Sequence, residues 1–420
     1  MKKRMTGFAV CLIAALWVQA QSIRPTNYDE AKVPAYELPE LLRLADGTPV
    51  TTARQWERQR RPELLELLAR EEYGRTPTQR IKVRYQTVAV NTRAMDGKAT
   101  SRQVRFTFSG NGHEVEALLL TYVPNQRNGR VPVIVGYNYN GNQTTTNETD
   151  VLPSPSVAWM GQDEAVTRRG YQASRWDYEA AIDRGYAVAT MCYNDICPDS
   201  PSMRERGVAA LFDGFDASAV APDEWQALGA WAWGSSRIAD YLVKQRWVDR
   251  RRLVLTGHSR QGKAALWAGA QDERFSVVIS NDSGCGGAAL SKRAYGETVA
   301  SITSRFPHWF CPNFNAYADK EETLPFDQHA LLALVAPRHL YVDSAEDDDW
   351  ADQRGEFLAT LQVSEVYALY GMKGLGVSDM PAVHQPVMHD VGYHIRAGKH
   401  DVTAYDWKCW LDFCDKSFGY

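Results

Sequence analysis

The residues with the clearest chemical potential lie in Leu253 to Ala270, LVLTGHSRQGKAALWAGA. Aliphatic residues lead into a Gly-His-Ser-Arg corner, and an Ala-rich run of helical character follows. A serine at a sharp strand-to-helix corner lifts its hydroxyl above a sheet. The following helix aims free N–H groups and the positive end of its dipole at the same point. This is the local physics of an activated nucleophile, which then needs a base and an acid. Ser259 is the candidate nucleophile. Read blandly, it is a helix N-cap. The acid can come from Asp282, in Asn281-Asp282-Ser283-Gly284, or from the later run Asp343, Glu346, Asp347, Asp348 and Asp349. The base can come from His389, His394 or His400. His400 is preferred for its Gly/Lys-containing loop ahead of a helix-like ending, with His394 second. His258 adjoins the serine, but neighbouring side chains diverge at a sharp turn.

The elements around these residues can position them. Residues 21 to about 80 form a polar lead-in, helical in places (ARQWERQRRPELLELLAREEYG). IKVRYQTVAV, RQVRFTFSG and HEVEALLLTYVP have strand patterning with short polar turns between them, which predicts antiparallel strands. From VPVIVGYN onward, short apolar runs alternate with helical stretches, including DEWQALGAWAWGSSRIADYLVKQRWVD. Buried strands alternating with helices imply a mostly parallel sheet covered on both faces, an α/β three-layer sandwich. Asp282 and the Asp343–Asp349 run each follow a predicted strand, at the carboxyl edge where such sheets place active sites. The order Ser, acid, His is that of the α/β-hydrolase fold. One detail departs from the usual elbow: Gly257 precedes Ser259 by two, but Gly262 follows it by three.

Bulk properties narrow the function. The chain has 420 residues, 44% hydrophobic and 23% charged, with a net charge of −4. That is enough for a large core, and with no basic block it argues against nucleic acid as a partner. Neither an internal repeat nor a low-complexity linker divides it, so residues 21–420 are expected to form a single catalytic domain with its lead-in. Residues 1–20 read as a signal peptide: MKKRM is basic, FAVCLIAALWV is apolar, and cleavage is expected after Ala20. The apolar run is shorter than the about 20 residues that span a bilayer. An exported protein, periplasmic or secreted and off the membrane after cleavage, is the expectation. Beyond Cys11, six cysteines remain (192, 197, 285, 311, 409 and 414), an even count that permits disulfides without fixing their connectivity. No Cys/His spacing suggests a metal site. Most of the thirteen Trp and twenty Tyr should fill the core, with a few left for stacking on sugars.

TGHSRQGKAAL resembles the Ser-Arg-x-Gly-Lys signature of the glucuronoyl esterases, carbohydrate esterase family fifteen, in which the wider glycine spacing is normal. The likeness runs from about Pro132 to the end. It includes GYNYNGNQTT, SRWDYEAAIDRGYAVAT, NDSGCGGAALSKR, VAPRHLYVDSAEDDDWADQRGEF and GYHIRAGKHDVTAYDW, several of them similar to the bacterial branch. The resemblance implies an α/β-hydrolase with Ser259 as nucleophile, His400 as base and Arg260 stabilising the oxyanion. Lys263, Glu297 and Trp350 would hold the sugar. Asp282 matches the position where many members carry a Glu as triad acid, and Asp348 matches the acid some bacterial members use instead. The expectation is that Asp282→Asn is the more damaging change. His258 stands where fungal members have a disulfide-bonded Cys, so that bridge cannot form here.

The activity so implied is hydrolysis of esters between the carboxyl group of (4-O-methyl-)glucuronic acid and an alcohol, as in lignin–glucuronoxylan linkages. Ser-His chemistry needs no metal or organic cofactor, and a monomer is expected. The alternative is an acetyl-xylan or other acyl esterase on the same fold, which would have no use for Lys263 and Glu297. A catalytically dead carbohydrate-binding protein would share the aromatics but has no reason to keep the Ser, His and acids.

Overall fold

The computed structural model describes residues 25–419. The expected export signal lies outside the described residues. Among the described residues, ten strands form one sheet: β1 (Lys82–Ala94), β2 (Ala99–Gly110), β3 (His113–Pro124), β4 (Val131–Asn138), β5 (Ala187–Cys192), β6 (Val248–His258), β7 (Phe275–Asn281), β8 (His339–Ala345), β9 (Val387–Met388) and β10 (Val391–Arg396). Their order is β1-β2-β3-β5-β4-β6-β7-β8-β10-β9. The run from β5 to β10 is parallel, and β1, β2 and β3 add an antiparallel flank. This is the mixed sheet expected from the change in patterning after β3.

The patterning also explains the layers. β4 is buried along its whole length, as a strand covered on both faces must be, whereas β1 largely alternates between exposed and half-buried positions. In β6, Leu253 and Leu255 pack into one core with Trp231 and Trp267, while Val254 packs into the other with Trp407 and Trp410. Period two along the strand thus assigns successive residues to opposite layers. The helices that matter most are α1 (Tyr178–Asp183), α2 (Ala227–Leu242), α3 (Arg260–Gln271), α4 (Gln353–Gln362) and α5 (Ala404–Phe418). Residues of α2 and α3 belong to the first core, and residues of α1 and α5 to the second. The lead-in is helical over residues 53–73 and buries Trp56, Leu64, Leu68 and Tyr73. The Tyr73 ring stacks on Trp267 of α3 at 4.7 Å.

Chain direction across the sheet sets the place of the site. β4 is followed on one side by β5, and the chain then crosses to lay β6, β7 and β8 on the other side. The corner after β6 therefore sits at the point where strand order reverses, where α/β sheets open a crevice.

The pairing permitted by the cysteine count does not occur. All six described cysteines are free, buried thiols. Cys409 and Cys414 lie five apart on α5, about 140° around the helix from one another, so they cannot face each other. Cys192 ends β5 with its Sγ 3.4 Å from Ser156 Oγ, and burial raises the thiol pKa to about 12.

Candidate active site

Ser259 sits between β6 and α3 with φ 56° and ψ −127°, a strained conformation for a residue with a side chain. The strain is held by close packing. A Cβ on Gly257 would fall 2.0 Å from the Gln261 carbonyl oxygen, and one on Gly262 would fall 2.9 Å from Ser283 Cβ. Gly262 therefore serves the contact of α3 with the loop after β7, so the wider spacing leaves the corner intact. The N–H groups of Arg260 and Gln261 are among the first four of α3, which have no acceptor within the helix.

Ser259, Arg260, Lys263, Asp282, Glu297, Asp348, Trp350 and His400 line one cavity of about 360 Å³. Residues up to 141 positions apart in sequence thus share a wall, because the loops after β6, β7, β8 and β10 all open at the same sheet edge. His400 exposes two-fifths of its side chain, and its Nδ1 lies 2.6 Å from Asp348 Oδ2. That contact fixes the tautomer and turns Nε2 away from the carboxylate. Behind His400, the His258 ring packs at 4.4 Å and is tied by Nδ1 to the Asn281 side chain. Burial and the neighbouring His400 hold the pKa of His258 well below the usual imidazole range, so it forms a neutral wall.

The acid that meets the imidazole is the later one. Asp282 lies beside the pair: its carboxylate, that of Asp348 and the His400 ring nitrogen are within 4.8 Å of one another. Its own contacts are elsewhere. Oδ2 is 3.4 Å from Arg396 Nη2, and Oδ1 is buried without a partner. Burial, reinforced by Glu356 and Asp348, raises its pKa well above the carboxylate range. The contacts favour Asp348 over Asp282 as the partner of the imidazole. The aspartate side chain leaving β7 turns inward to Arg396, while the loop after β8 carries Asp348 up to the imidazole.

Arg260 spans the cavity edge. Its guanidinium lies over the Trp309 ring at 4.7 Å and the Phe306 ring at 5.4 Å, and it is paired with Asp199. Asp199 also accepts from His308 Nε2 at 2.8 Å, Trp309 Nε1 at 2.7 Å and the Tyr193 hydroxyl at 2.9 Å. Burial opposes its charge, but His308, Arg260 and Trp309 hold its pKa well below normal. Lys263, one turn into α3, donates from Nζ to the Cys285 carbonyl at 2.6 Å and lies 3.6 Å from Glu297 Oε2. Both side chains are over nine-tenths buried, and burial raises the Glu297 carboxyl pKa. The Glu297 N–H donates to the Trp350 carbonyl at 2.9 Å, joining two of the residues expected to hold a sugar.

His394, the second choice of base, does not reach the cavity. It is fully buried between the Tyr341 hydroxyl at Nδ1, 2.9 Å, and Asp406 at Nε2, 3.0 Å. His389 lies elsewhere, against Lys373. Among the described residues, two clusters are compact enough to face a metal ion, Asp282/Asp348/His400 and Asp343/His394/Asp406. In both, the donors already bond to one another or to Arg396 and Trp410.

Several contributors were not singled out from the sequence: Asp199, Arg305, Phe306, Trp309, Glu356 and Arg396. Glu356 of α4 accepts from the Ser283 N–H at 2.8 Å, the Gly284 N–H at 2.9 Å and Ser344 Oγ at 2.6 Å. It therefore braces the loop that carries Asp282 and the carbonyls gripping Lys263. In sequence it is one carboxylate among many in a helix, and no local signal separates it from a solvated one.

A family model described as glucuronyl esterase, fungi, matches residues 170–371. The carbohydrate esterase MZ0003, from an unknown prokaryotic organism, is 42% identical over 400 residues, covering 93% of this chain and 92% of that protein. The solved glucuronoyl esterase from Solibacter usitatus superposes with a TM-score of 0.86 at 45% identity, covering 93% of this chain and all of that one. The chain belongs to the glucuronoyl esterase family. A 4-O-methyl-glucuronoyl methylesterase from Phanerochaete carnosa is more distant, at 30% identity over 75% of this chain and 67% of its own length. The family's α/β-hydrolase fold accounts for the strained serine corner and for the loops that converge on it.

Proposed function

We propose that this glucuronoyl esterase hydrolyses esters between the carboxyl group of glucuronic acid, with or without a 4-O-methyl group, and an alcohol, as in lignin–glucuronoxylan linkages. The observation that carries the reading is the junction of two features in one cavity. A strained serine and an imidazole–carboxylate pair stand at one end, and a buried Lys263–Glu297 pair beside Trp350 stands at the other. The first is machinery for acyl transfer. The second is a polar, hydroxyl-matching floor that a simple acetyl esterase would not need.

In this mechanism His400 Nε2 takes the Ser259 proton as Oγ attacks the ester carbonyl, while Asp348 stabilises the imidazolium. The tetrahedral oxyanion faces the first N–H groups of α3 and the Arg260 guanidinium. Loss of one such donor typically costs about 2.7–4 kcal/mol of transition-state stabilisation. Asp199 and Trp309 hold Arg260 in place before the reaction, so no reorganisation is needed. The C–O bond to the alcohol breaks and the alcohol leaves with the proton from His400. Water, deprotonated by the same imidazole, then attacks the glucuronoyl-serine ester, and the serine is released with its proton restored. Lys263 donates to sugar hydroxyls, Glu297 accepts from them, and Trp350 borders the ring.

The first twenty residues favour export, and the described residues include no helix long and apolar enough to cross a membrane. We assign the protein to the periplasm or the exterior as a monomeric, single-domain catalyst that works without a cofactor. The test compares hydrolysis of benzyl glucuronate with that of p-nitrophenyl acetate. Preference for the glucuronate ester is expected, and preference for the acetate would overturn the substrate class. Ser259→Ala should abolish turnover of both. Undiminished turnover in that variant would remove Ser259 from the mechanism, and no turnover by the wild type would revive a binding-only role.

A further inference from the structure

His400 stands on a loop. Residues 397–403 join β10 to α5 and contain neither helix nor strand. The imidazole is two-fifths exposed, so packing confines it on only some of its sides. A proton-transferring ring tolerates little displacement, so the loop beneath it has to be held to within a fraction of an ångström.

One buried guanidinium holds that loop from within. Arg396 is the last residue of β10, and its side chain is buried. Nε donates to the two Asp406 carboxylate oxygens at 2.9 Å and 3.0 Å. Nη1 donates to the Ala397 carbonyl at 3.2 Å and the Lys399 carbonyl at 3.0 Å. Nη2 donates to the Asp401 carbonyl and, at 3.4 Å, to Asp282 Oδ2. An arginine carries five N–H donors in one plane, and these contacts use them all. Three of them grip loop carbonyls, and the carbonyls of residues 399 and 401 lie immediately before and after His400 in the chain.

The anchor of this fork is itself fixed. Asp406 caps α5, accepting from the Thr403 N–H at 2.7 Å and the Thr403 hydroxyl at 2.8 Å, and it meets His394 Nε2 at 3.0 Å. The loop that brings Asp348 is laced to the same segment. The Glu346 N–H donates to the Arg396 carbonyl at 2.8 Å, and the Asp347 N–H donates to the Gly398 carbonyl at 3.0 Å. From outside, Arg175 pairs with the Asp401 carboxylate at 2.6 Å, but both side chains are partly exposed and such pairs hold weakly. A buried ion pair is also weak evidence for stability, since its desolvation offsets most of its attraction. The spread of the Arg396 donors over the loop carbonyls points to precision in the loop.

We propose that Arg396 is the positioning residue for the base: its guanidinium sets the conformation of residues 397–401 and so holds the His400 imidazole between Asp348 and Ser259. The inference rests on the Ser259–His400 mechanism above. It also gives Asp282 a task, because its carboxyl closes the fork at Nη2 from the end of β7.

The test uses the full-length protein, its Arg396→Lys, Arg396→Ala and His400→Ala variants, and benzyl glucuronate. Lysine keeps the charge beside Asp406 but has three donors on one nitrogen and no fork, so Arg396→Lys should fold. Its KM should stay within about twofold of wild type while kcat falls about tenfold to a hundredfold, the cost of an ångström-scale misplacement. In a His400→Ala background the same change should lower the residual single-turnover rate by no more than about twofold, because a residue acting through His400 has nothing left to position. An equal fold loss in both backgrounds, a KM change as large as that in kcat, or a wild-type kcat in Arg396→Lys would overturn the proposal. Should Arg396→Lys not fold, Arg396→Ala with added methylguanidine takes its place. A rise in kcat of about tenfold or more would support the clamp. Folded Arg396→Ala without that rise would overturn it, as would failure of both variants to fold, which would leave Arg396 a structural role alone. His400→Ala separates the two readings. Undiminished turnover there defeats the mechanism, whereas an inactive His400→Ala beside a fully active Arg396→Lys defeats only the positioning role.

Discussion

Replacing each of the two acids by its amide tests the site most directly. Asp348 Oδ2 lies 2.6 Å from His400 Nδ1, a short contact of the charge-assisted kind. In Asp348→Asn the amide has no charge to stabilise a positive ring, and its NH2 can donate to Nδ1 and so favour the wrong tautomer. The equivalent change in a well-formed Ser-His-Asp triad lowers kcat by about 10⁴, or roughly 5.5 kcal/mol. Asp282 differs on both counts. Its Oδ2 touches Arg396 at 3.4 Å, and burial, reinforced by Glu356 and Asp348, shifts the carboxyl toward its protonated form. An asparagine is close in shape and charge to a protonated aspartate, so Asp282→Asn should lower kcat by no more than about tenfold, or roughly 1.4 kcal/mol. The assay is steady-state hydrolysis of benzyl glucuronate by both variants, with thermal denaturation to show that each folds. Retained melting temperatures with a greater loss in Asp282→Asn would refute the assignment of the acid and the argument from geometry behind it.

Three further outcomes follow from the same contacts. Asp199→Asn removes the charge that pairs with Arg260 while keeping the shape that meets His308 and Trp309. It should lower kcat about tenfold to a hundredfold with KM little changed, as expected for a loosened oxyanion group, and the kcat–KM split from initial rates checks it. Glu297→Gln leaves Lys263 held by the Cys285 carbonyl, so the protein should fold. Its KM for glucuronate esters should rise about tenfold while p-nitrophenyl acetate turnover is unaffected. Glu356 has its carboxyl raised from 4.5 to about 7, chiefly by burial. Between those values the native state holds a proton that the unfolded chain has lost, so this group's contribution to stability is full below pH 4.5 and is lost as pH rises through about 7. Chemical denaturation across that window should show the slope in the wild type and a flatter profile in Glu356→Gln.

The serine corner was legible because it is a local object. A β-branched run, small residues and an Ala-rich continuation specify a strand, a tight turn and a helix whatever surrounds them. The mixed sheet was legible for a similar reason, since strands buried on both faces lose the alternation that half-buried strands keep, and β1 and β4 differ in that respect. Even the unusual place of Gly262 was visible, though its cause was not: it faces Ser283 on a neighbouring loop. The cysteines mark the opposite case. An even count cannot show that Cys409 and Cys414 point in different directions from one helix or that Cys192 ends buried beside Ser156.

By itself, then, the sequence determined the residue types able to do acyl transfer, their order along the chain and the class of sheet that carries them. These follow from neighbours a few positions apart, which set backbone conformation and which side of a strand or helix each residue occupies. The contact of Asp348 with His400, the Asp199 clamp on Arg260 and the Glu356 brace exist only in the tertiary structure. Each depends on a separation of a few ångströms between groups tens of residues apart. Those quantities belong to the packed molecule and have no counterpart in local sequence.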